Sequence, residues 1–237
     1  MELYFTEPAN ISTSYAEFDA FESRHILKTM RKKEGELIYF TDGQGHLYTG
    51  SIEISHPVLR VRYQIKQKDV WPPPVQSVLG VAVIRPARMD ILIEKATELG
   101  ITRFVLFTSR YSTYPLKNTK RWEKITRQAI KQSNRLYLPE IQLVSAMKDF
   151  FSAVNDIPLK FIAQQNAARR LADLLAERDN TKEQNIAVLI GPEGGFDHDE
   201  ESLAAAHNFL PFNLGVHRLR TETAAISAAS FINSLRN

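Results

Sequence analysis

The sequence predicts an α/β protein in which a mostly parallel sheet covered by helices follows a small β-rich unit. Three observations carry this. The first 65 or so residues are dense in β-formers and turns, the run Pro72-Pro-Pro74 interrupts the chain, and strand-like apolar runs then alternate with helical stretches. At 237 residues with 43% hydrophobic content, the chain can bury one large core or two small ones.

In order along the chain, residues 18–30 read as one short helix carrying Arg24, His25 and Lys28. Asp42-Gly-Gln-Gly45 lies between apolar runs at 36–40 and 46–49, a hairpin signal. Residues 51–54 and 59–65 alternate apolar and polar side chains as half-buried strands do. These segments form a small β-barrel or sheet unit. The prolines remove backbone donors and favour an extended conformation, so a semi-rigid linker spans 69–76 between domains at 1–68 and 77–237. Beyond it, strand-like runs lie at 78–84, 104–107, 159–163, 186–190 and 212–214. Helical stretches lie at 89–99, 120–135, 169–178, 200–208 and 222–235. Gly100 follows the first of these helices as a capping glycine. Strand–helix alternation with strands that are apolar almost throughout indicates a mostly parallel sheet covered by helices.

Composition excludes several chemistries. Cysteine is absent, which removes disulfides, zinc–thiolate sites, iron–sulfur clusters and every cysteine nucleophile. No apolar run reaches the roughly 20 residues of a membrane span, and no signal-peptide pattern opens the chain, so the cytoplasm is the expected compartment. The net charge of +3 is unevenly placed. Arg103, Arg110, Lys117, Lys120, Arg121, Lys124, Arg127, Lys131 and Arg135 face one acid, Glu123, between residues 103 and 135. Such a run is either a solvated helix face or a phosphate-binding footprint.

Three constellations carry candidate chemistry. In Ala187-Val-Leu-Ile-Gly-Pro-Glu-Gly-Gly-Phe-Asp-His-Asp-Glu200 a buried strand ends in a glycine-rich turn, and Asp197 with Glu200 forms a capping box. Gly194 and Gly195 serve either a tight turn or the close approach of a ligand. Open α/β sheets bind ligands beyond strand C-termini. Neither a triphosphate loop nor a dinucleotide fingerprint is present, and Glu193 repels a polyphosphate. In Asn213-Leu-Gly-Val-His-Arg-Leu-Arg-Thr-Glu-Thr-Ala-Ala225 a second strand passes through a basic segment into a helix of small residues, with Thr221 or Thr223 as its cap. In Arg85-Pro-Ala-Arg-Met-Asp-Ile-Leu-Ile-Glu-Lys-Ala-Thr-Glu-Leu-Gly100, Arg88 stands at a strand-to-helix junction, while Glu94 and Glu98 form surface pairs.

Together the segments 88–100, Gln132-Ser-Asn-Arg135 with Pro139-Glu140, Ile190-Gly-Pro-Glu-Gly-Gly195, and Leu214-Gly215 with Leu219-Arg-Thr-Glu-Thr-Ala224 resemble the RsmE family of SPOUT RNA methyltransferases, in the family's order. The chain departs from the family pattern at His217, where an arginine is common, and at Lys131-Gln-Ser-Asn-Arg135, where Glu-Gln-Ser/Cys-Gly-Arg is usual. The resemblance implies a PUA-like RNA-binding β-barrel over 1–68. It implies a SPOUT α/β-knot over 77–237, a mostly parallel sheet with a C-terminal trefoil knot, and a homodimer packed through the knot helices. It implies S-adenosyl-L-methionine (AdoMet) as cofactor, held by Leu189, Gly191, Glu193, Gly194, Gly195, Leu214, Gly215, Leu219 and Thr221, with the three leucines walling the adenine. The implied reaction is methylation of uridine N3 in 16S rRNA of the 30S subunit, without a metal. Arg88, Arg220 and Glu222 are the catalytic candidates, with His217 as an alternative base. Arg24, Lys28, Arg110, Arg127, Arg135, His217 and Arg218 are the RNA-binding candidates. A SPOUT enzyme acting on another RNA, or a non-catalytic RNA-binding protein, are the competing expectations.

Overall fold

The computed structural model describes residues 2–54, 58–68, 73, 75–112, 114–115, 118–177 and 184–234. Most of the expected proline-rich linker, and Lys117 of the basic run, lie outside them. The chain divides into two compact units, Met1–Pro74 with Arg127–Leu138, and Val75–Thr126 with Pro139–Asn237.

The first unit contains β1 (Leu3–Phe5), β2 (Tyr15–Glu17), α1 (Ala20–Arg24), β3 (Leu37–Thr41), β4 (His46–Ile54) and β5 (Arg60–Lys68). Its five-stranded sheet has the order β1-β3-β4-β5-β2, with β1 and β3 parallel and the other pairs antiparallel. Phe18, Ile26, Ile38, Phe40 and Val61 fill its core. The expected hairpin is β3–β4. Its turn is locked by the Asp42 carboxylate, which accepts from the Gln44 amide at 2.8 Å and the Tyr48 hydroxyl at 2.9 Å and lies 2.7 Å from His46 Nδ1. The strands expected at 46–49 and 51–54 are one strand. Gly50 lets them run on, because a Cβ there would stand 2.5 Å from the Arg62 carbonyl oxygen of β5. The helix expected over 18–30 is α1 followed by a π-helical turn, His25–Thr29. Residues 127–138 join this unit through Lys131, whose ammonium bonds both oxygens of buried Glu22 at 2.9 and 2.7 Å. Leu136 packs with Leu3 and Leu47.

The second unit alternates strands and helices. In order they are β6 (Ser77–Ala82), α2 (Pro86–Glu98), β7 (Arg103–Phe107), α3 (Lys120–Ser133), β8 (Glu140–Leu143), α4 (Met147–Ala153), β9 (Leu159–Ala163), α5 (Leu171–Ala176), β10 (Ile186–Ile190), α6 (His198–Ala206), β11 (Leu210–Phe212) and α7 (Thr221–Ser234). The last half of α3 counts with the first unit. The six strands are ordered β11-β9-β10-β6-β7-β8 and every pairing is parallel. Alternate residues of each strand point to opposite faces. Leu79, Val81, Val188 and Ile190 pack with α2, α5 and α7, whereas Val78, Ala82, Ala187 and Leu189 pack with α4 and α6. Two buried faces explain why these strands are apolar throughout. No helix among the described residues is long and apolar enough to cross a membrane.

Candidate active site

A parallel sheet delivers all its strand C-termini to one edge, and the site lies there. The segments after the neighbouring strands β9, β10 and β11 converge on a cavity of about 550 Å³. It is lined by Gln164, Gln165 and Asn166 after β9, by 191–196 after β10, and by Asn213, Leu214, His217, Arg218 and Leu219 after β11. Ala163, Ile190, Glu201, Phe212, Thr221 and Ala224 complete it.

The glycine turn has few side chains to hold it, so its shape is imposed by neighbours. Thr221 donates its hydroxyl to the Gly191 carbonyl at 3.0 Å. Arg218 donates to the Glu193 carbonyl. Arg88 donates to the Glu193 carboxylate at 2.8 Å, and its Nε lies 3.7 Å from Glu222 Oε1. The second oxygen of Glu222 is buried and has no hydrogen-bond partner among the described residues. Gly195 adopts φ +75° and Gly215 φ +136°, conformations that favour glycine. Gly215 donates its amide to the Asn213 side chain at 3.1 Å. Asp197 caps α6 as expected, accepting from the Glu200 amide at 2.8 Å, while Glu200 accepts from the Asp197 amide at 3.1 Å. The amide bonds hold the Asp197 carboxyl below its usual range, helped by Arg110.

The structure brings Gly191, Glu193, Gly194, Gly195, Leu214, Leu219 and Thr221 to the cavity wall. Leu189 is different. It is fully buried in the core on the α4 and α6 side, because the two-residue period of β10 turns it away from the face that Ile190 presents. Ile190, the next residue, lines the cavity. Gly215 lines an adjoining cavity of about 540 Å³ that also touches Leu214, His217 and Phe231. Thr221 is not a cap but the first residue of α7, where the Arg220 carbonyl receives the Ala224 amide. Arg220 itself is exposed, without an ion pair among the described residues. The amides at 164–166 went unanticipated, although their place after a strand C-terminus is a usable signal.

The basic run is less free than its charge suggests. Arg121 forks onto Asp90, Arg127 pairs with Glu7 at 2.5 Å and lies over the Phe5 ring, and Arg110 pairs with Asp197 at 3.1 Å. Burial pushes the Arg135 guanidinium below its ordinary value. Arg24 and Lys28 are exposed on α1 and the π-helical turn, and His217 is exposed at the cavity rim.

The cavity fits AdoMet in size and chemistry. Ligand pockets of this kind span roughly 300–1,000 Å³. Apolar Ile190, Leu214 and Leu219 suit an adenine, backbone and amide groups suit a ribose, and Glu201 favours a ligand with positive charge, Glu193 being answered by Arg88.

Comparison with known proteins agrees. Residues 72–233 match the RNA methyltransferase domain family. Ribosomal RNA small subunit methyltransferase E of Rickettsia conorii is 31% identical over 221 residues, covering 89% of this chain and 86% of that protein. Its namesake in Synechocystis is 28% identical over 96% of this chain and 76% of that protein. The fold matches a methyltransferase of Legionella pneumophila solved with bound AdoMet, at TM-score 0.84, 25% identity and coverage of 98% and 97% of the two chains. It also matches the Neisseria gonorrhoeae ribosomal RNA small subunit methyltransferase E with AdoMet, at TM-score 0.80, 26% identity and coverage of 99% and 98%.

Proposed function

The chain belongs to the RNA methyltransferase family, among the ribosomal RNA small subunit methyltransferases E, and from that membership we propose that it methylates N3 of a uridine in 16S rRNA of the small subunit, using AdoMet. Its fold is of the SPOUT α/β-knot class, preceded by a PUA-like unit. The observation that carries the reading is the cavity bounded by the glycine turn and the 213–221 segment, joined by the Thr221–Gly191 bond.

AdoMet, when bound, supplies a methyl group on a sulfonium for in-line displacement. The turn backbone, Ile190, Leu214 and Leu219 are the groups that would hold it. Holding two reactants in register contributes roughly 7–11 kcal/mol of such a barrier. Uridine N3 is protonated and lies on the Watson–Crick edge, so the base is unpaired or flipped when it reacts. The unpartnered carboxylate oxygen of Glu222 is our candidate proton acceptor, with His217 at the rim as the alternative. Arg88, held between Glu193 and Glu222, and exposed Arg220 are suited to stabilise negative charge on the uracil oxygens. Exposed Arg24, Lys28 and His217 are the stronger RNA-contact candidates. Arg218, which donates to the Glu193 carbonyl, and Arg110, Arg127 and Arg135 are engaged within the protein. We further propose action in the cytoplasm as a homodimer packed through α7, whose partly exposed Phe231 suits an interface; solution mass by light scattering reads the dimer out.

Labelled AdoMet with small subunits, followed by mapping of the methylated nucleotide, tests the function. Wild type is expected to label one uridine at N3. Arg220→Ala and Glu222→Gln are each expected to lower kcat by about 10²-fold or more. Full turnover by Arg220→Ala removes its charge-stabilising role, and no calorimetric response to AdoMet removes the enzyme reading.

A further inference from the structure

A tight turn at 109–112 presses on the outside of the glycine turn. It is closed by its own bonds, the Ser112 amide to the Ser109 carbonyl and the Ser109 amide to Ser112 Oγ, both at 3.0 Å. From it the Arg110 amide donates to Glu200 Oε1 at 3.0 Å, and the Arg110 guanidinium donates to Asp197 at 3.1 Å. The next residue, Tyr111, packs closely against Gly194. A Cβ built on Gly194 would stand 2.8 Å from Tyr111 Cβ and 3.0 Å from its ring Cγ. Tyr111 is nevertheless 48% exposed, which is unusual for an aromatic whose only service is to the core.

Within the turn itself the Gly195 amide donates to the Pro192 carbonyl at 2.9 Å, and the 109–112 turn adds a grip from outside at Gly194. Gly194 and Gly195 carry no side chain, and backbone of that composition is free to leave the bound shape. Thr221, Arg218 and Arg88 hold the turn at 191 and 193. Beyond 193, the contacts come from the 109–112 turn and from the Asp197–Glu200 box that Arg110 joins. An exposed ion pair such as Arg110–Asp197 adds little to folding stability, and a half-exposed ring is a poor core residue.

We propose that Tyr111 and Arg110 are positioning residues that clamp the glycine turn in its cofactor-binding shape, so that Arg110 serves AdoMet affinity and not rRNA phosphate contact. This rests on the reading of the cavity as the AdoMet site. A preformed turn avoids the ordering cost that a loose one incurs on binding, and that difference reads out directly as affinity.

The test is AdoMet titration calorimetry on the full-length protein, with steady-state kinetics on small subunits. Tyr111→Ala is expected to raise the Kd for AdoMet about tenfold, with the loss falling on the KM for AdoMet more than on kcat. Tyr111→Phe is expected to restore affinity, because the ring and not the hydroxyl covers Gly194. Gly194→Ala, whose methyl would stand 2.8 Å from Tyr111 Cβ, is expected to shift the 109–112 turn and weaken AdoMet binding. Arg110→Ala is expected to weaken AdoMet in the same direction and to leave the salt dependence of rRNA binding unchanged. Unaltered AdoMet affinity in Tyr111→Ala overturns the clamp, as does unaltered affinity in Gly194→Ala. An Arg110→Ala protein that loses one phosphate contact from its salt slope while binding AdoMet normally also overturns it. A wild-type protein that binds no AdoMet brings down the site reading itself, a result distinct from variants that bind as well as wild type.

Discussion

Asp197 shows how one side chain links local structure to the site. It caps α6, pairs with Arg110 and stands at the end of the glycine turn. Its folded carboxyl titrates below the usual range, chiefly because the Glu200 amide bonds to the charged form, with Arg110 adding to this. A depressed carboxylate contributes stability above its unfolded value, about 4, and loses it as pH falls through the lower folded value. Thermal melts of wild type and Asp197→Asn should therefore differ at neutral pH and converge as pH falls below about 4. A constant gap across that window would show that the charge is not what matters. Leu189 and Ile190 teach the complementary lesson at the same scale. Both are apolar and adjacent, and a glycine turn follows at once, so the sequence offers no reason to prefer one as the adenine wall. Only the strand register decides, turning Leu189 into the core and Ile190 to the cavity.

At the scale of elements, strands apolar throughout and helices of several turns were readable, and short segments of mixed polarity were not. The helices at 89–99 and 120–135 and the strands at 104–107, 159–163 and 186–190 match α2, α3, β7, β9 and β10 within a few residues. By contrast, α4 has seven residues and β8 four, too few for either period to show. Gly80 illustrates a constraint that no periodicity contains. It sits in β6 under the fully buried ring of Phe150 from α4, and a Cβ there would stand 2.3 Å from that ring. Gly80→Ala should therefore overpack the sheet–helix interface and cost about 1–3 kcal/mol, seen as a lower denaturant midpoint at unchanged slope. An unchanged midpoint would mean that the ring yields freely.

For the molecule as a whole, the question is where positive charge remains available to RNA. The basic run gave +8 between residues 103 and 135 by sequence. Much of it is answered by acids far away in the chain, among them Asp90, Glu7, Glu22, Asp197 and Glu140. Each phosphate neutralised by a free cation adds about 0.9 to the salt slope of binding to a duplex and about 0.7 for a single strand. The rRNA slope should accordingly reflect only a few contacts. Arg24→Ala and Lys28→Ala should each lower it, whereas Arg127→Ala should leave it unaltered; the reverse pattern would restore the basic helix as the RNA surface. What the sequence determined by itself was the alternation of apolar strands and helices, the glycine turn with its capping box, and the exclusion of cysteine chemistry, because these depend on neighbours in the chain. What only the tertiary structure decided was the pairing of the basic run, the side to which β10 turns each residue, and the grip of Tyr111 on Gly194. Each depends on which distant segments meet, and a linear pattern of charge or polarity is blind to that.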